Sequence, residues 1–311
     1  GRWLRVPVIV SVAGGELARL DDIGYGLQRG AFSRWTVKQA LQGADRVIVA
    51  CSYAQRLINR LPYPVPAEKI RTIALGVDTN TYQKTGETSY SSSSQKSRLI
   101  HVASLVGVKD QATLLRALAR LDTDISLDII GTGPQQDSLQ TLAKQLGITE
   151  QVNFIGGVDH LELPHHYQQA ALNVLSSRHE GLGMVTLEAA ACGIATVSTA
   201  VGLLPDHSAL GVSVPVGDDA ALAAAIDGLL ADDQRRTSLA QSAYETAQAQ
   251  FTIQHSAENF RRLYADLIKT NPNPEEVQKF ISQYVKEPDV LVAQIFSDFK
   301  RLYIGEEKQT N

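Results

Sequence analysis

From Arg98 to Val216 the chain alternates short apolar runs with segments of helical period. The runs are RLIHVAS (98–104), SLDII (126–130), QVNFIG (151–156), LNVLS (172–176), ATVST (195–199) and a short one near 212–216. Helices are expected between them near 109–121, 134–146, 160–171 and 184–192. Strands this apolar are buried on both faces. Joined through helices, they call for a parallel sheet with helices on either side. Ligands of such sheets bind outside the carboxyl ends of the strands. The loops 104–109, 131–133, 156–158 and 177–183 are therefore expected along one rim.

The flanking segments are less regular. VPVIVSV (6–12) reads as a buried strand, 13–30 as a glycine-rich loop, 31–43 as a helix, RVIVA (46–50) as a second strand and IRTIAL (70–75) as a third. Ser52 is expected to cap a helix that runs to about Arg60. KTGETSYSSSSQKS (84–97) has almost no apolar residues and reads as a linker. Three helices are expected at about 218–231, 233–249 and 254–269. Beyond 270, Asn273, Pro274 and Glu276 match a helix start, and two apolar faces (Val277, Phe280, Ile281, Tyr284, then Leu291, Ile295, Phe299, Leu302) suggest a docked helical pair.

Composition narrows the class. The chain has 311 residues, room for about two domains, with 44% hydrophobic and 20% charged residues. A net charge of −4 gives no electrostatic case for a nucleic-acid partner. Two cysteines, Cys51 and Cys192, do not make a disulfide scaffold and suit a reducing compartment. No apolar run approaches the ~20 residues of a membrane span. The chain opens GRWLRVPVIVSV with no initiator methionine, and the expectation is a fragment or processed product that starts inside a domain.

The stretch SSRHEGLGMVTLEAAACG (176–193) carries the chemistry. A buried strand ends in a loop with Glu180, Gly181 and Gly183, then opens an alanine-rich helix that holds Glu188. Free main-chain N–H groups and the positive end of a helix dipole meet there, which suits phosphate. The flanking carboxylates accept hydrogen bonds from hydroxyls. Phosphate plus hydroxyls points to a nucleotide sugar.

Further segments carry a resemblance. ADRVIVACS (44–52), IRTIALGVD (70–78), VASLVGVKDQATLL (102–115), LDIIGTGP (127–134) and VNFIGGV (152–158), together with Glu180, seven intervening residues and Glu188, resemble in order the retaining glycosyltransferases of family four. The resemblance covers about 6 to 269 and is strongest from His101 to Val216. It implies the GT-B fold, an α/β architecture of two facing, doubly wound Rossmann-like domains. On this reading 1–83 is a partial, acceptor-side N-terminal domain, 84–97 a linker, 98–254 the nucleotide-sugar domain, 255–269 a helix that packs back on the first domain, and 270–311 a helical tail.

The implied reaction moves a sugar from a nucleotide diphosphate donor with retention of anomeric configuration. Glu180 (contacting the donor sugar) and Lys109 (neutralising the leaving diphosphate) are the implied catalytic residues. Glu188 would hold the ribose. Main-chain N–H groups of Gly181, Leu182, Gly183 and Met184 would meet sugar and diphosphate, and Gly131, Gly133, Gly157 and Val158 would line the nucleotide. No cofactor and no metal are expected, because a lysine and a helix end stabilise the departing charge. Saccharides, lipids or small molecules are the implied acceptors, the cytoplasm the implied location, with the inner membrane face and peripheral contact there as a further option.

The chain departs from the family pattern in three places, one being that the first strands of the N-terminal domain, roughly 80 to 100 residues by typical domain size, are expected to be missing from it. The loop 104–108 lacks the usual second cation, leaving Lys109 and the helix end unless Arg178 or another cation substitutes. The family's acceptor-side histidine is replaced by Ala13, so that Gly14, Gly15 and Glu16 are the acceptor-side candidates. These departures keep a second reading open, a donor-binding lobe without transfer. Other readings fit less well. A glycosidase pair needs carboxyls roughly 5 to 9.5 Å apart, whereas eight helical residues rise ~12 Å. The dinucleotide fingerprint started by Gly131 and Gly133 fails at Gln136. Taken alone, Glu180 and Glu188 would be solvated acids and Lys109 a surface lysine. His160, His165 and His166 read as solvated, Cys192 as core packing, and His101 as either core or cleft lining.

Overall fold

A computed structural model describes residues 7–84, 97–121 and 124–269. The expected helical pair beyond 270 and most of the linker lie outside these residues. The first lobe holds β1 (Ile9–Val12), α1 (Ala31–Gly43), β2 (Arg46–Val49), α2 (Ser52–Asn59) and β3 (Ile70–Thr72). Its three strands are parallel, in the order β1-β2-β3. Because side chains alternate along a strand, Val47 and Val49 of β2 face a core shared with Leu41 of α1 and Ile58 of α2, while Ile48 faces the other way. Cys51, not Ser52, is the N-cap of α2, and Ser52 is its first helical residue.

The second lobe alternates as its sequence does: β4 (Ser97–Val102), α3 (Gln111–Leu118), β5 (Ile125–Ile130), α4 (Gln136–Gln145), β6 (Val152–Gly156), α5 (Leu163–Gln168), β7 (Leu172–Leu175), α6 (Met184–Ala191), β8 (Thr196–Thr199), β9 (Gly211–Val214), α7 (Asp219–Leu230), α8 (Asp233–Gln250) and α9 (Ile253–Lys269). All six strands are parallel, in the order β6-β5-β4-β7-β8-β9. Renumbered within the lobe this is 3-2-1-4-5-6, the dinucleotide-fold order, and it reverses direction between β4 and β7. The chain is thus an α/β protein with two parallel, Rossmann-like sheets.

Helix α3 starts at Gln111 rather than 109. A 3-10 turn, Gly107–Lys109, comes first, and Asp110 in the left-handed region (φ 46°) caps the helix by accepting from the Thr113 N–H and, at 2.8 Å, from the Thr113 hydroxyl. Helix α5 is shorter than expected, because Pro164 sits in its first turn and the chain before it forms a turn at Asp159.

The chain crosses back to the first lobe at the α8–α9 junction. Val77 donates to Phe251 O at 2.7 Å, and Ile253 donates to Val77 O at 3.2 Å. Gly76 permits this: a Cβ there would fall 2.1 Å from Thr252 O. β3 ends at Thr72, short of the expected Leu75, although Ile73 N–H still donates to Val49 O at 2.9 Å. Helix α9 then lays Leu263 and Leu267 on Ile48 and Ile73, covering the face of the first sheet opposite α1 and α2.

Candidate active site

The switch point between β4 and β7 organises the site. The loops after β4, β5, β6 and β7 are stitched along one rim. Leu105 donates to Thr132 O at 2.9 Å, Gly131 to Gly156 O at 2.7 Å, and Arg178 to Val108 O at 2.8 Å. The Ser176 hydroxyl donates to Lys109 O at 2.9 Å. The two glycines after β5 are needed for this closeness. A Cβ on Gly131 (φ 137°) would meet Ala103 O at 2.0 Å, and one on Gly133 would meet Leu105 O at 2.4 Å. A Cβ added at Gly157 would meet only a Thr132 methyl carbon, at an ordinary contact distance of 3.8 Å, and Val158 is half-buried beside the core.

Over this rim Lys109 Nζ donates to Glu180 Oε1 at 2.7 Å, and the Ser177 hydroxyl donates to the same oxygen at 2.6 Å. The Glu180 side chain is 11% exposed. Burial alone would raise its pKa, but the Lys109 charge and the two donated hydrogen bonds outweigh burial and hold the carboxyl below its ordinary range. Ser177 was not among the candidates. The signal for it was the spacing Ser177-x-x-Glu180, the same spacing with which hydroxyls and acids pair at helix starts.

Gly183 (φ 87°) is the N-cap of α6 and supplies no side-chain cap. One first-turn donor is taken, Thr186 N–H to Gly183 O at 2.9 Å. Main-chain donors at the start of α6 have no partner within the helix, and the dipole adds partial positive charge there. Met184 is half-exposed at this end, while Leu182 is buried and its carbonyl accepts from Leu203 N–H at 2.8 Å. Gly202 (φ 66°) braces the loop from beneath, since a Cβ there would lie 2.5 Å from Leu182 O.

One turn into α6, Glu188 is buried and accepts from the Tyr167 hydroxyl at 3.2 Å. It is therefore no solvated helix-surface acid. Tyr167 escaped the sequence reading because its position in LPHHYQQA reads as an ordinary apolar helix contact. His101 is core: Nδ1 lies 2.7 Å from Val174 O, and burial pushes its pKa down to about 4. Cys192 is buried in the core, and burial raises its thiol to about 12. His160 and His165 are exposed and His166 half-exposed, and among the described residues no three His, Cys, Asp or Glu side chains gather as a metal-holding group.

The first lobe meets the loop after β7. Gly181 sits against Ala13, whose carbonyl oxygen would be 1.9 Å from an added Cβ. The Cys51 thiol reaches Gly181 O at 3.3 Å, and His179 Nε2 lies 2.9 Å from Gly14 O. His179 stands between Tyr25 and Tyr53, with ring centroids 6.0 and 5.9 Å away, and burial lowers its pKa. Gly15 O accepts from Ala18 and Leu27 N–H, and the Glu16 carboxylate accepts from Gly14 N–H at 2.7 Å. Arg178 forms a two-pronged pair with Asp22, one prong at 3.1 Å. The structure thus brings Gly14, Gly15 and Glu16 to the edge of the candidate donor loop.

Two Rossmann-like lobes facing each other across a glycine loop, with a lysine–glutamate pair at a sheet's switch point, define a GT-B protein. The solved sucrose-phosphate synthase of Thermosynechococcus elongatus superposes with a TM-score of 0.73 at 24% identity, covering 84% of this chain and 68% of that one. Residues 87–246 match the family described as glycosyl transferases group 1, and the chain belongs to that family. Among curated relatives it is 28% identical over 242 residues to an N-acetyl-alpha-D-glucosaminyl L-malate synthase of Bacillus anthracis, which covers 74% of this chain and 63% of the relative. It is 35% identical over 154 residues to a GDP-mannose-dependent alpha-(1-6)-phosphatidylinositol monomannoside mannosyltransferase of Mycolicibacterium smegmatis, over 45% of this chain and 40% of the relative. The chain thus spans less than two thirds of the length of these relatives.

Proposed function

We propose that the chain binds a nucleotide diphosphate sugar and takes part in transferring its sugar to an acceptor, with retention of anomeric configuration. The observation that carries this reading is the placement of Lys109 and the uncapped start of α6 on one rim, over the point where the sheet order reverses. A departing diphosphate gains negative charge, and a lysine with oriented main-chain donors stabilises that charge. Lys109 would exchange part of its hold on Glu180 for phosphate oxygens. Glu180, released on one side, would accept from donor-sugar hydroxyls, and Glu188 from the ribose. The main-chain N–H groups from Gly181 to Met184 would receive the phosphates. Gly131, Gly133, Gly157 and Val158 would line the nucleotide. No metal is required by this arrangement.

The names of the relatives support a sugar donor, one of them being GDP-mannose-dependent. Base, sugar and acceptor are left open, with saccharides, lipids and small molecules as the candidate acceptor classes. Gly14, Gly15 and Glu16 are proposed as the acceptor-side edge. We place the reaction in the cytoplasm or at the inner membrane face; among the described residues no helix is long and apolar enough to cross a membrane.

A second reading, donor binding without transfer, is favoured by one observation: the two cations beside the loop, Lys109 and Arg178, are both ion-paired with carboxylates. Incubation with a panel of radiolabelled nucleotide sugars separates the two. Release of nucleoside diphosphate, with label passing to an added acceptor or to water, supports transfer. Saturable binding of a donor with no release supports the second reading. The anomeric configuration of any product, read by proton NMR, tests retention.

A further inference from the structure

Glu188 lies on a helix with six consecutive buried residues, Thr186 to Ala191. A carboxylate placed there keeps its direction only if something in the core holds it. Tyr167 does this from α5: it is fully buried, and its hydroxyl donates to Glu188 Oε2 at 3.2 Å. A phenol can donate only one hydrogen bond, so this one commits it to Glu188. The Tyr167 ring is fixed in turn. It belongs to the same buried cluster as Leu187, Ala190 and Ala191, and it meets the ring of Tyr82 at 6.2 Å between centroids and 59° between planes. Tyr82 comes from the segment that leaves the first lobe, is 2% exposed, and donates over 3.4 Å to His160 O on the loop after β6.

We infer that Tyr167 is a positioning residue for nucleotide recognition: its hydroxyl aims the Glu188 carboxylate at the ribose hydroxyls. The inference rests on the proposed ribose role of Glu188. Tyr167 touches no ligand itself and acts through the carboxylate. One of the two Glu188 oxygens is anchored from within the core, which leaves the carboxylate one rotational setting rather than many. A carboxylate held this way recognises the pair of ribose hydroxyls with little further loss of side-chain freedom. Loss of the phenol oxygen therefore removes selectivity for ribose while leaving the diphosphate contacts in place.

The test compares uridine, guanosine and adenosine diphosphates with their 2′,3′-dideoxy analogues by calorimetry, on the whole chain. The wild type is expected to prefer one ribonucleotide over its dideoxy analogue by roughly 10- to 100-fold, the range for a hydrogen bond to a charged group. In Tyr167→Phe that ratio is expected to fall toward unity, with dideoxy binding changed less than about threefold and cooperative thermal unfolding retained. A Tyr167→Phe protein that keeps the wild-type ratio overturns the positioning role and leaves the donor reading standing. A wild type with no preference for ribose overturns the donor reading and this inference with it. Should Tyr167→Phe fail to fold, 3-fluorotyrosine placed at 167 gives a second readout. Its fluorine resonance is expected to shift with the ribonucleotide and not with the dideoxy analogue, and equal shifts with both would contradict the inference.

Discussion

Lys109 and Glu180 each depend on the other. Glu180 is nearly sealed from water and ionised because Lys109 and Ser177 face it. A carboxyl with a depressed folded-state pKa stabilises the fold above the ordinary carboxylate range and loses that contribution as pH falls through its folded value. Wild-type thermal stability is therefore expected to drop, in part through this group, as pH falls below the ordinary glutamate value of 4.5. Lys109→Met removes the partner, so burial dominates and the Glu180 carboxyl moves above its ordinary range. The variant is expected to be less stable than wild type near neutral pH and to close part of that gap on acidification, as melting temperatures across pH will show. A gap that does not change with pH would mean the pair does not hold Glu180 ionised. At Glu188, substitution by alanine is expected to weaken nucleoside diphosphate binding by about 1–3 kcal/mol. Unchanged affinity in calorimetry would remove Glu188 from the donor site.

At the scale of elements, most of the architecture was legible because each strand of the second lobe is an apolar run with a glycine or a polar residue at its end. β4 to β9 fall within two residues of their expected positions, since buried parallel strands advertise themselves by composition. What could not be read were contacts that depend on two distant segments meeting. The loop 13–16 has no periodic signature, yet it presses Ala13 and Gly14 against Gly181 and His179. The Tyr167–Glu188 bond joins two helices whose spacing in sequence carries no signal. The 3-10 turn before α3 was missed because Asp110 caps from a left-handed conformation that non-glycine residues rarely adopt. These close contacts make a prediction at Gly181. A methyl group there must displace the Ala13 carbonyl, so Gly181→Ala is expected to cost about 1–3 kcal/mol in stability. It should also raise the exchange rate of amides in 13–18. A variant as stable as wild type, with unchanged exchange, would show that the lobes do not touch here in solution.

Over the whole molecule, the lobes share one apolar cluster that runs from Val12 and Val49 through Leu187 and Leu204 to Ala247 and Phe251. Helix α9 ties the end of the second lobe onto the first sheet through Leu263 and Leu267. The first lobe has three strands among the described residues, too few to bury both faces without that helix. Leu263→Ala is accordingly expected to destabilise by about 2–5 kcal/mol. The loss should appear in calorimetric unfolding as a shift of a single transition; a separate early transition would mean the lobes unfold independently. The rim over the β4–β7 reversal is proposed to receive a diphosphate. The most direct test is calorimetric titration of wild type and Lys109→Met with uridine, guanosine and adenosine diphosphates and with the matching nucleosides. Saturable wild-type binding of at least one diphosphate is expected, roughly tenfold or more weaker in Lys109→Met, while nucleoside binding stays the same in both proteins. Diphosphate affinity that survives the loss of Lys109 intact, or no diphosphate binding at all, would contradict that proposal.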